Sequence, residues 1–352
     1  MNRINTDLLD LVGNTPIVNM KDRDRSNPEH SDVELFAKLE YYNPTGSIKD
    51  RPAAYILRHL QLRGTLTRNS TIIESSSGNF GIALAAICRA LGMKFICVVD
   101  PALLPHNAFL LEQYGAEIVR VTERDDTGGY LKSRIKTVKS VLEKDPATIW
   151  INQYANQMNA EAHYYGTGME IYKTFSDFGL DFVFVPVGSG GTIAGVSTLL
   201  KEQFPSITIV AVDTVGSVIF GGEPKRRYIP GMGSSIRPEL VGRAKMDLVL
   251  RVEERDAIQG CMELVHRYGL FVGGSSGAVY FAAKQFFAGD SYRELTERNV
   301  GSKSHDAKKA LLIFPDKGER YNSTIYNPEW VSTVFGPEQQ ATAPVRAVAV
   351  TH

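Results

Sequence analysis

Along most of this chain, segments with the hydrophobic pattern of a buried strand alternate with segments that have the pattern of a helix. Segments of strand length that are rich in apolar residues occur at 33–39, 95–99 and 182–187, and each is followed by turn residues and then by a helical segment. Such segments predict buried strands, as in parallel sheets covered by helices on both faces. The repeated order of strand, turn and helix predicts an α/β fold with parallel or mixed sheets in three αβα layers.

The alternation occurs in two successive units, which predicts two domains. A loop rich in glycine and aspartate at residues 123–130 ends the first unit, and a strand-like segment at residues 150–154 opens the second. We therefore place the domain change near residue 150. A length of 352 residues is enough for two domains. Residues 337–352 show no period, which predicts a frayed tail.

Charge and composition exclude several classes of function. Lysine plus arginine and aspartate plus glutamate number 39 each, so net charge gives no reason to expect a nucleic-acid or membrane-surface partner. No apolar run reaches the roughly eighteen residues of a membrane span, and Arg3, Asp7 and Asp10 stand where a signal peptide would be apolar, so we expect a cytoplasmic protein. The cysteines and histidines lack the spacings of a zinc site, so we expect no metal.

One lysine stands where a predicted loop enters a predicted helix. Residues 43–53 begin with turn residues, continue with a hydroxyl residue, and place Lys49 ahead of a helical pattern that continues through residue 63. Taken alone, a lysine at a helix start is more typical of a solvated surface charge. A chemical role for this lysine therefore needs support from other parts of the chain.

Three other predicted strand-to-helix turns are rich in glycine and hydroxyl residues. Residues 188–192 contain glycines that let backbone N–H groups converge on a single phosphate at a helix start, although a tight turn without a ligand explains the same residues. Residues 75–80 offer hydroxyl and amide donors to a carboxylate or, alternatively, form an ordinary helix cap. Residues 273–277 also precede a helix and fit a cap equally well.

Considered together, the four turns indicate one site. In open α/β sheets such turns gather at the carboxyl ends of the strands, where ligands bind. A phosphate site, a carboxylate site and a lysine describe pyridoxal phosphate acting on an amino acid, because a lysine forms a Schiff base with the aldehyde and the ring withdraws electrons. Pyridoxal 5'-phosphate is therefore the predicted cofactor.

The same turns belong to a longer series of motifs that resembles a known family. Over roughly residues 5–325 the chain resembles the cysteine synthase/cystathionine beta-synthase family of fold-type II pyridoxal-phosphate enzymes, which have a tryptophan synthase beta-like fold. The matching segments are residues 12–16, 43–53, 76–79, 152–156 with His163, 188–192, 273–277 and 316–321. So many motifs in order favour a catalytic lysine over a surface charge at position 49.

The resemblance implies a role for each turn residue. By position, Lys49 resembles the Schiff-base lysine, Asn79 the partner of the cofactor's ring hydroxyl, and Ser275 the hydroxyl that faces the pyridine nitrogen. The phosphate loop would consist of Gly188, Ser189, Gly190, Gly191 and Thr192. The substrate carboxylate would be held by Ser76, Ser77 and Gly78. A neutral serine would leave the pyridine unprotonated, and this weaker electron sink suits elimination at Cβ.

The family fold also implies the limits of the two domains. We expect a smaller αβα domain at residues 46–149, with Lys49 and the carboxylate loop. We expect a larger αβα domain formed by residues 1–45 and 150–330, with the phosphate loop. The resemblance further implies a homodimer.

Several stretches resemble one branch of the family, which joins O-phospho-L-serine to L-glutamate in 2,3-diaminopropionate biosynthesis for siderophores or antibiotics. These stretches are residues 128–134, 150–156, 211–213 with 216–221, and 228–233. The resemblance implies loss of phosphate to give an α-aminoacrylate, addition of the glutamate amine, and an NAD-dependent oxidative enzyme as pathway partner. Arg134 and Tyr154 are candidates for binding the phosphate, with a surface arginine and a core tyrosine as the alternative interpretations.

The second substrate stays open at this stage. The basic residues of the loop at 216–238 are candidates for binding glutamate but fit a solvated charge run equally well; they are Lys225, Arg226 and Arg227. The loop at 188–192 has the form of cysteine synthases, so cysteine synthesis from O-acetylserine or O-phosphoserine and sulfide is the alternative function. A dehydratase and a catalytically silent relative match less well, since Lys49 and all the turns are present.

Overall fold

The computed structural model describes residues 7–21, 33–67, 69–126, 128–298, 307–336 and 347–350. Its strands are β1 (Ile17–Asn19), β2 (Val33–Leu39), β3 (Thr71–Ser75), β4 (Lys94–Val99), β5 (Glu117–Arg120), β6 (Ile149–Trp150), β7 (Phe182–Pro186), β8 (Thr208–Thr214), β9 (Leu248–Val252), β10 (Lys308–Phe314) and β11 (Ala347–Ala349). Its α-helices are α1 (Asp50–Leu62), α2 (Asn79–Leu91), α3 (Pro105–Gln113), α4 (Leu131–Lys144), α5 (Gln157–Ala162), α6 (Met169–Phe175), α7 (Gly191–Gln203), α8 (Glu254–Tyr268), α9 (Gly274–Ala288), α10 (Asp290–Arg298) and α11 (Pro328–Phe335). A π-helical turn, His163–Gly168, connects α5 to α6.

The strands of the described residues form two sheets. The larger sheet has the order β1-β2-β10-β7-β8-β9-β11, and the smaller has the order β5-β4-β3-β6. In the larger sheet the five inner strands run parallel, and β1 and β11 pair antiparallel at its edges. The smaller sheet is parallel throughout. This architecture confirms the α/β fold class that the alternating pattern predicts.

Successive residues of the larger sheet pack against different helices. In β7, Phe182 and Phe184 contact the ring of Phe286 in α9. Val183 and Val185 lie in a second core, with residues of α6 and α7. Because successive side chains of a strand point to opposite faces, helices cover both sides of this sheet. The burial of apolar surface on both faces fixes the ends of its strands, from which the site loops emerge.

The smaller sheet is covered in the same way. Ile72 of β3 lies in a core with residues of α1 and α2, whereas Ile73 packs with Val138 of α4. Helix α2 is buried along most of its alanine-rich length, so it lies close against the sheet. Helix α1, which follows Lys49, is thereby fixed to the core of the smaller sheet.

The C-terminal segment differs in part from the frayed tail that the sequence predicts. Ala347–Ala349 form β11 and pair antiparallel with Leu248–Val252, so the prediction is wrong for these three residues. The outer edge of β9 offers unpaired N–H and C=O groups, which a short strand satisfies without a strong sequence pattern. Residues 337–346 and 351–352 lie outside the described residues.

The two sheets separate near the expected domain change. The smaller sheet ends with β6, and the larger sheet takes β1 and β2 from the start of the chain together with all strands after β6. This division supports the limits 46–149 for one domain and 1–45 with 150–330 for the other, which remain a prediction. None of the helices in the described ranges has the length and apolar character that a bilayer crossing needs.

A buried network of charges ties helix α1 to the larger sheet. Arg51, two residues after Lys49, donates to Glu40 at 2.6 Å and to Glu170 of α6 at 2.7 Å. Lys38 of β2 also donates to Glu170, at 2.7 Å. Two cations thus meet two carboxylates, so the charges of this network balance. Breaking such a pair by removing one partner is strongly destabilising, because it leaves an uncompensated buried charge.

We expect Glu170→Gln to lower the free energy of unfolding by about 3 kcal/mol, because it leaves one carboxylate, Glu40, to balance the two buried cations Arg51 and Lys38. The matched control is Asp126→Asn, which removes an exposed ion pair with Lys132 and is expected to change stability by less than about 1 kcal/mol. Urea unfolding of both variants beside the unchanged protein measures the difference.

The same network predicts a pH dependence. Burial alone raises the pKa of Glu170, but the hydrogen bonds and charges of Arg51 and Lys38 outweigh it and lower the pKa from 4.5 to about 2. A carboxylate with a lowered pKa stabilises the fold fully above its unfolded value and loses this effect as the pH falls through the folded value. The stability gap between the unchanged protein and Glu170→Gln should therefore narrow as the pH falls from 4.5 to 2; a constant gap would contradict the assignment.

Candidate active site

A cavity of about 240 Å³ lies where loops after several strands of both sheets converge. Its wall contains twelve of the thirteen residues that the sequence nominates for the cofactor and the phosphoserine donor, namely Lys49, Ser76, Ser77, Gly78, Asn79, Arg134, Tyr154, Gly188, Ser189, Gly190, Thr192 and Ser275. Gly191 is the exception: it begins α7 and packs against Asn159 so closely that a Cβ would overlap the amide. The structure therefore brings the four predicted turns into one place.

Lys49 lies at the N-terminus of α1 and faces the cavity. Its loop is held to the segment after β10, because the N–H of Ile48 donates to the carbonyl of Pro315 at 2.8 Å. Burial lowers the pKa of Lys49 from 10.5 to about 8, and the negative charge of Asp316 opposes this shift. Near neutral pH an appreciable fraction of this amine is therefore unprotonated, which a nucleophile or base requires.

A buried carboxylate that the sequence did not single out lies beside Lys49. Asp316 accepts hydrogen bonds from Asn79 at 2.7 Å and from the hydroxyl of Tyr321 at 2.5 Å. Its other oxygen, Oδ1, has no hydrogen-bond partner among the described residues. Arg320 donates to the side-chain oxygen of Asn79. Asn79 is therefore oriented by two charged residues, and the motif at 316–321 was the signal that could have revealed them.

The glycine-rich turn at residues 188–192 has the geometry of an anion cradle. It leads into α7, whose free N–H groups favour negative charge. Gly190 has φ of +85°, and a Cβ there would lie 2.7 Å from Val241 Cγ2, so only glycine fits. The alternative interpretation, a tight turn without a ligand, does not explain why its polar residues face the cavity.

One histidine supports this cradle from behind. The ring of His163 makes hydrogen bonds to the hydroxyls of Thr192, at 3.3 Å, and of Thr167, at 2.9 Å. Burial, together with the charges of Lys49 and Arg51, lowers the pKa of His163 well below its usual value. A neutral imidazole is therefore held between the two threonines, and it fixes the direction of the Thr192 hydroxyl.

The turn after β3 uses its hydroxyls in two ways. The hydroxyl of Ser76 accepts from the N–H of Gly81 at 3.1 Å, so it serves as a local cap of α2. The hydroxyl of Ser77 instead accepts from the N–H of Asp100 and from Arg134, both at 3.1 Å. Helix capping thus accounts for Ser76, whereas Ser77 connects the turn to a charged side chain in the cavity wall.

The turn at residues 273–277 places Ser275 at the first turn of α9. No side chain caps this helix, and Ser275 lines the cavity with a hydroxyl that makes no hydrogen bond to any other described residue. Gly273 packs against Asp316 so closely that a Cβ would overlap the carboxylate. The serine therefore faces the site, while the preceding glycine lets the chain approach Asp316.

Arg134 of α4 projects into the cavity wall and not into solvent. Its side chain is 11% exposed, and its Nε lies 3.3 Å from the Asp100 carboxylate. Tyr154 lines the same wall; burial raises its pKa, and the charge of Arg134 opposes this shift. Burial also raises the pKa of the neighbouring Glu74 to about 7. The interpretation of Arg134 as a surface arginine is therefore not supported.

The arrangement combines three chemical functions in one cavity. An amine of lowered pKa, an anion cradle at a helix N-terminus, and a second cationic region around Arg134 all face the same space. This set can hold a phosphorylated carbonyl compound together with an anionic substrate, and it can move a proton between them.

Comparison with known proteins gives a consistent result. A family model described as "Pyridoxal-phosphate dependent enzyme" matches residues 8–295. Two curated proteins, from Ralstonia nicotianae and Cupriavidus metallidurans, are both named N-(2-amino-2-carboxyethyl)-L-glutamate synthase. Each is 41% identical to this chain over 327 residues, which cover 93% of this chain and 91% of the relative.

Solved structures show the same fold. An O-acetylserine dependent cystathionine beta-synthase from Helicobacter pylori is 31% identical, with a TM-score of 0.79 over 92% of this chain and 100% of that chain. An O-ureido-L-serine synthase is 27% identical, with a TM-score of 0.81 over 96% of this chain and 98% of that chain. These similarities confirm the fold-type II architecture that the motifs imply.

The lowered pKa of Lys49 predicts its reactivity in the cofactor-free protein. Acetic anhydride should label Lys49 with a midpoint at pH about 8, because only the neutral amine reacts. Exposed lysines of the same sample should give a midpoint near about 10.4. Asp316→Asn should move the Lys49 midpoint further down, because Asp316 stabilises the ammonium. Peptide mass spectrometry measures each midpoint, and a Lys49 midpoint like that of the exposed lysines would contradict the assignment.

Proposed function

Because the chain belongs to the family of pyridoxal-phosphate dependent enzymes, we propose that it replaces the phosphate of O-phospho-L-serine with the amine of L-glutamate. The product is N-(2-amino-2-carboxyethyl)-L-glutamate. The chain is a pyridoxal-phosphate-dependent β-replacement enzyme, and the proposal concerns its two substrates. The observation that supports a phosphorylated donor is Arg134, a buried cation in the cavity wall beside the carboxylate turn.

The residues of the cavity fit pyridoxal phosphate. A glycine-rich turn at a helix N-terminus can hold its phosphate, the uncommitted hydroxyl of Ser275 can face its ring nitrogen, and Asn79 can face its ring hydroxyl. Lys49 provides the amine that its aldehyde needs. When bound, the cofactor supplies an electron-withdrawing ring that makes the Cα proton of an amino acid acidic.

Lys49 is proposed as the residue that moves the proton. With a pKa of about 8, its free amine can take the Cα proton of phosphoserine as a general base. The Cβ–O bond then breaks, and phosphate leaves with the electron pair. The glutamate nitrogen forms a bond to Cβ and loses a proton, and the Lys49 ammonium returns a proton to Cα. The atoms and charges therefore balance over the two half-reactions.

The turn at residues 76–78 is proposed to hold the carboxylate of the donor. It lies at the start of α2, where backbone N–H groups and the helix dipole favour an anion. Its two serines make different hydrogen bonds, since the hydroxyl of Ser76 caps the helix and that of Ser77 accepts a hydrogen bond from Arg134. Anchoring the carboxylate beside Lys49 would place Cα within reach of the amine.

Arg134 is proposed to bind the leaving phosphate. Its guanidinium is shared between Ser77 and Asp100, and its Nε makes no hydrogen bond of good geometry. A phosphate dianion would form stronger charge-assisted bonds with this group than a hydroxyl does. Tyr154 lies in the same wall and offers a hydroxyl to the same anion.

The wider setting follows from the branch that the sequence resembles. We propose that the product enters 2,3-diaminopropionate formation for a siderophore or an antibiotic, where an NAD-dependent oxidative enzyme would consume it. The homodimer and the cytoplasmic location also remain predictions. The alternative is cysteine synthesis from sulfide. It is supported by residues 188–192, which resemble the loop of cysteine synthases, and by the similarity to a solved enzyme that depends on O-acetylserine.

A product assay decides between the two functions. The cofactor-loaded protein is incubated with phosphoserine and either glutamate or sulfide, and the products are identified and quantified by mass spectrometry. We expect the glutamate adduct to form much faster than cysteine, and Lys49→Ala to form neither. Cysteine as the main product, in particular with O-acetylserine as donor, would instead establish the cysteine synthase function.

Arg134→Gln tests the phosphate assignment. We expect kcat/KM for phosphoserine to fall about 10- to 100-fold, because a charge-assisted interaction with the leaving group is lost. Turnover of O-acetylserine, which releases a smaller charge, should fall much less. Lys132→Gln, an exposed change two residues earlier on α4, is the matched control. Equal losses with both donors would show that Arg134 acts on the fold and not on phosphate.

A further inference from the structure

The loop that joins β8 to β9 forms part of the cavity wall. Pro230, Gly231 and Gly233 of this loop line the cavity. The N–H of Gly233 donates to the carbonyl of Val187 at 2.8 Å, which fixes the loop against the start of the phosphate turn. Its two arms are also joined, because the N–H of Val218 donates to the carbonyl of Ser234. Residues carried by this loop are therefore held in place beside the site.

The three basic residues of the loop lie in different environments. Lys225 and Arg226 are exposed, and Arg226 lies over the ring of Tyr228 at 4.7 Å. Arg227 turns inward instead, and its Nη2 donates to the hydroxyl of Ser235 at 3.2 Å. A solvated charge run thus describes the first two residues but not the third.

The inward arginine lies directly behind the cavity wall. A Cβ on Gly233 would lie 2.7 Å from Arg227 Nη1, so the absence of a side chain at Gly233 is what lets the guanidinium approach. The Nη1 atom is buried and has no hydrogen-bond partner among the described residues. The charge of Arg227 also acts on Tyr154, a residue that lines the cavity. Arg227 therefore presents an unused donor next to the site.

Two carboxylates act on the charge of Arg227, but neither accepts a hydrogen bond from it. Glu254 accepts from the N–H groups of Tyr228 and Ile229 at 2.7 to 3.0 Å. Asp213 accepts from the N–H of Thr214 at 2.8 Å through Oδ1, and its Oδ2 has no hydrogen-bond partner among the described residues. Within the described ranges no ion pair involves Arg227. A buried cationic donor without an acceptor is costly unless a ligand supplies one.

Arg134, the arginine in the cavity wall, has different partners from Arg227. Arg134 is balanced by Asp100 and donates to Ser77, on the side of the smaller sheet. Arg227 belongs to the larger sheet, and both arginines act on the charge state of Tyr154. One arginine thus lies in the cavity wall and the other lies directly behind it, and the two belong to different parts of the fold. A reaction that brings an anionic donor and an anionic acceptor together requires two such cations.

We propose that Arg227 binds a carboxylate of the incoming amino-acid nucleophile, as a subsite distinct from the Arg134 region that binds the donor's phosphate. The inference rests on the proposed function, since it assumes an acceptor with two carboxylates. Because a guanidinium can hold a carboxylate through two parallel hydrogen bonds, the free Nη1 and the neighbouring Nη2 are suitable donors. Such binding would favour a dicarboxylic amine over an uncharged nucleophile.

The test measures the two half-reactions of the cofactor-loaded protein separately. Phosphoserine alone reports the first half-reaction through the change in visible absorbance, and the glutamate dependence of product formation reports the second. We expect Arg227→Gln to raise the KM for glutamate about 10- to 100-fold. The phosphoserine concentration that gives half of the maximal absorbance change should change much less. Arg227→Lys, which keeps the charge and loses the fork, should give an intermediate KM.

The matched control is Arg226→Gln, which removes the same charge one residue earlier on the exposed side of the loop. It should leave both half-reactions within about twofold, since the residue is surface-exposed. Equilibrium dialysis of labelled L-glutamate against the loaded variants gives a second readout that does not depend on turnover. L-Glutamine, which lacks the side-chain charge, shows which carboxylate the arginine holds.

Each outcome is decisive. A rise in the glutamate KM and a matching loss of binding, both specific to Arg227→Gln, support the subsite. An unchanged glutamate KM overturns it while the proposed function stands. A loss that falls on phosphoserine, or equally on both half-reactions and on thermal stability, also overturns it, because Arg227 would then serve the donor or the fold. No product from glutamate with the unchanged protein would remove the proposed function itself, and this inference with it.

Discussion

The position of Lys49 depends on a buried set of ion pairs. Arg51 follows Lys49 by two residues and is held by Glu40 and Glu170, so the start of α1 is tied to the larger sheet and to α6. The remainder of α1 packs into the core of the smaller sheet. The lysine therefore lies on an element that both sheets hold, which places it in the cavity wall beside the other turns.

Desolvation connects the fold to the chemistry. Enclosure lowers the pKa of Lys49 to about 8, and it lowers that of His163 so far that the imidazole behind the phosphate turn is neutral. The same enclosure raises the pKa of Glu74 to about 7. Burial thus has two effects, because an apolar environment disfavours ionised groups. It makes the Lys49 amine available as a base, and it disfavours the negative charge of Glu74 near the anion sites.

The motifs predicted which residues meet, but not how their side chains are used. The hydrophobic runs predicted parallel strands, and the carboxyl ends of such strands are adjacent, so the convergence of Lys49 with residues 76–79 and 188–192 could be predicted. From the motifs alone, helix capping and ligand binding explained each serine turn equally well. Only the structure separates Ser76, which caps a helix, from Ser77, which accepts from Arg134.

The sequence by itself determined the fold class, the family, the cofactor and the set of turns, because these depend on local periodicity and on short motifs. Only the tertiary structure showed that Asp316 lies beside the lysine and that Arg227 turns inward while Arg226 faces solvent. It also showed the pairing of Ala347–Ala349 with β9. These features depend on contacts between residues far apart in the chain, and burial and charge balance at such contacts are not encoded in any single segment.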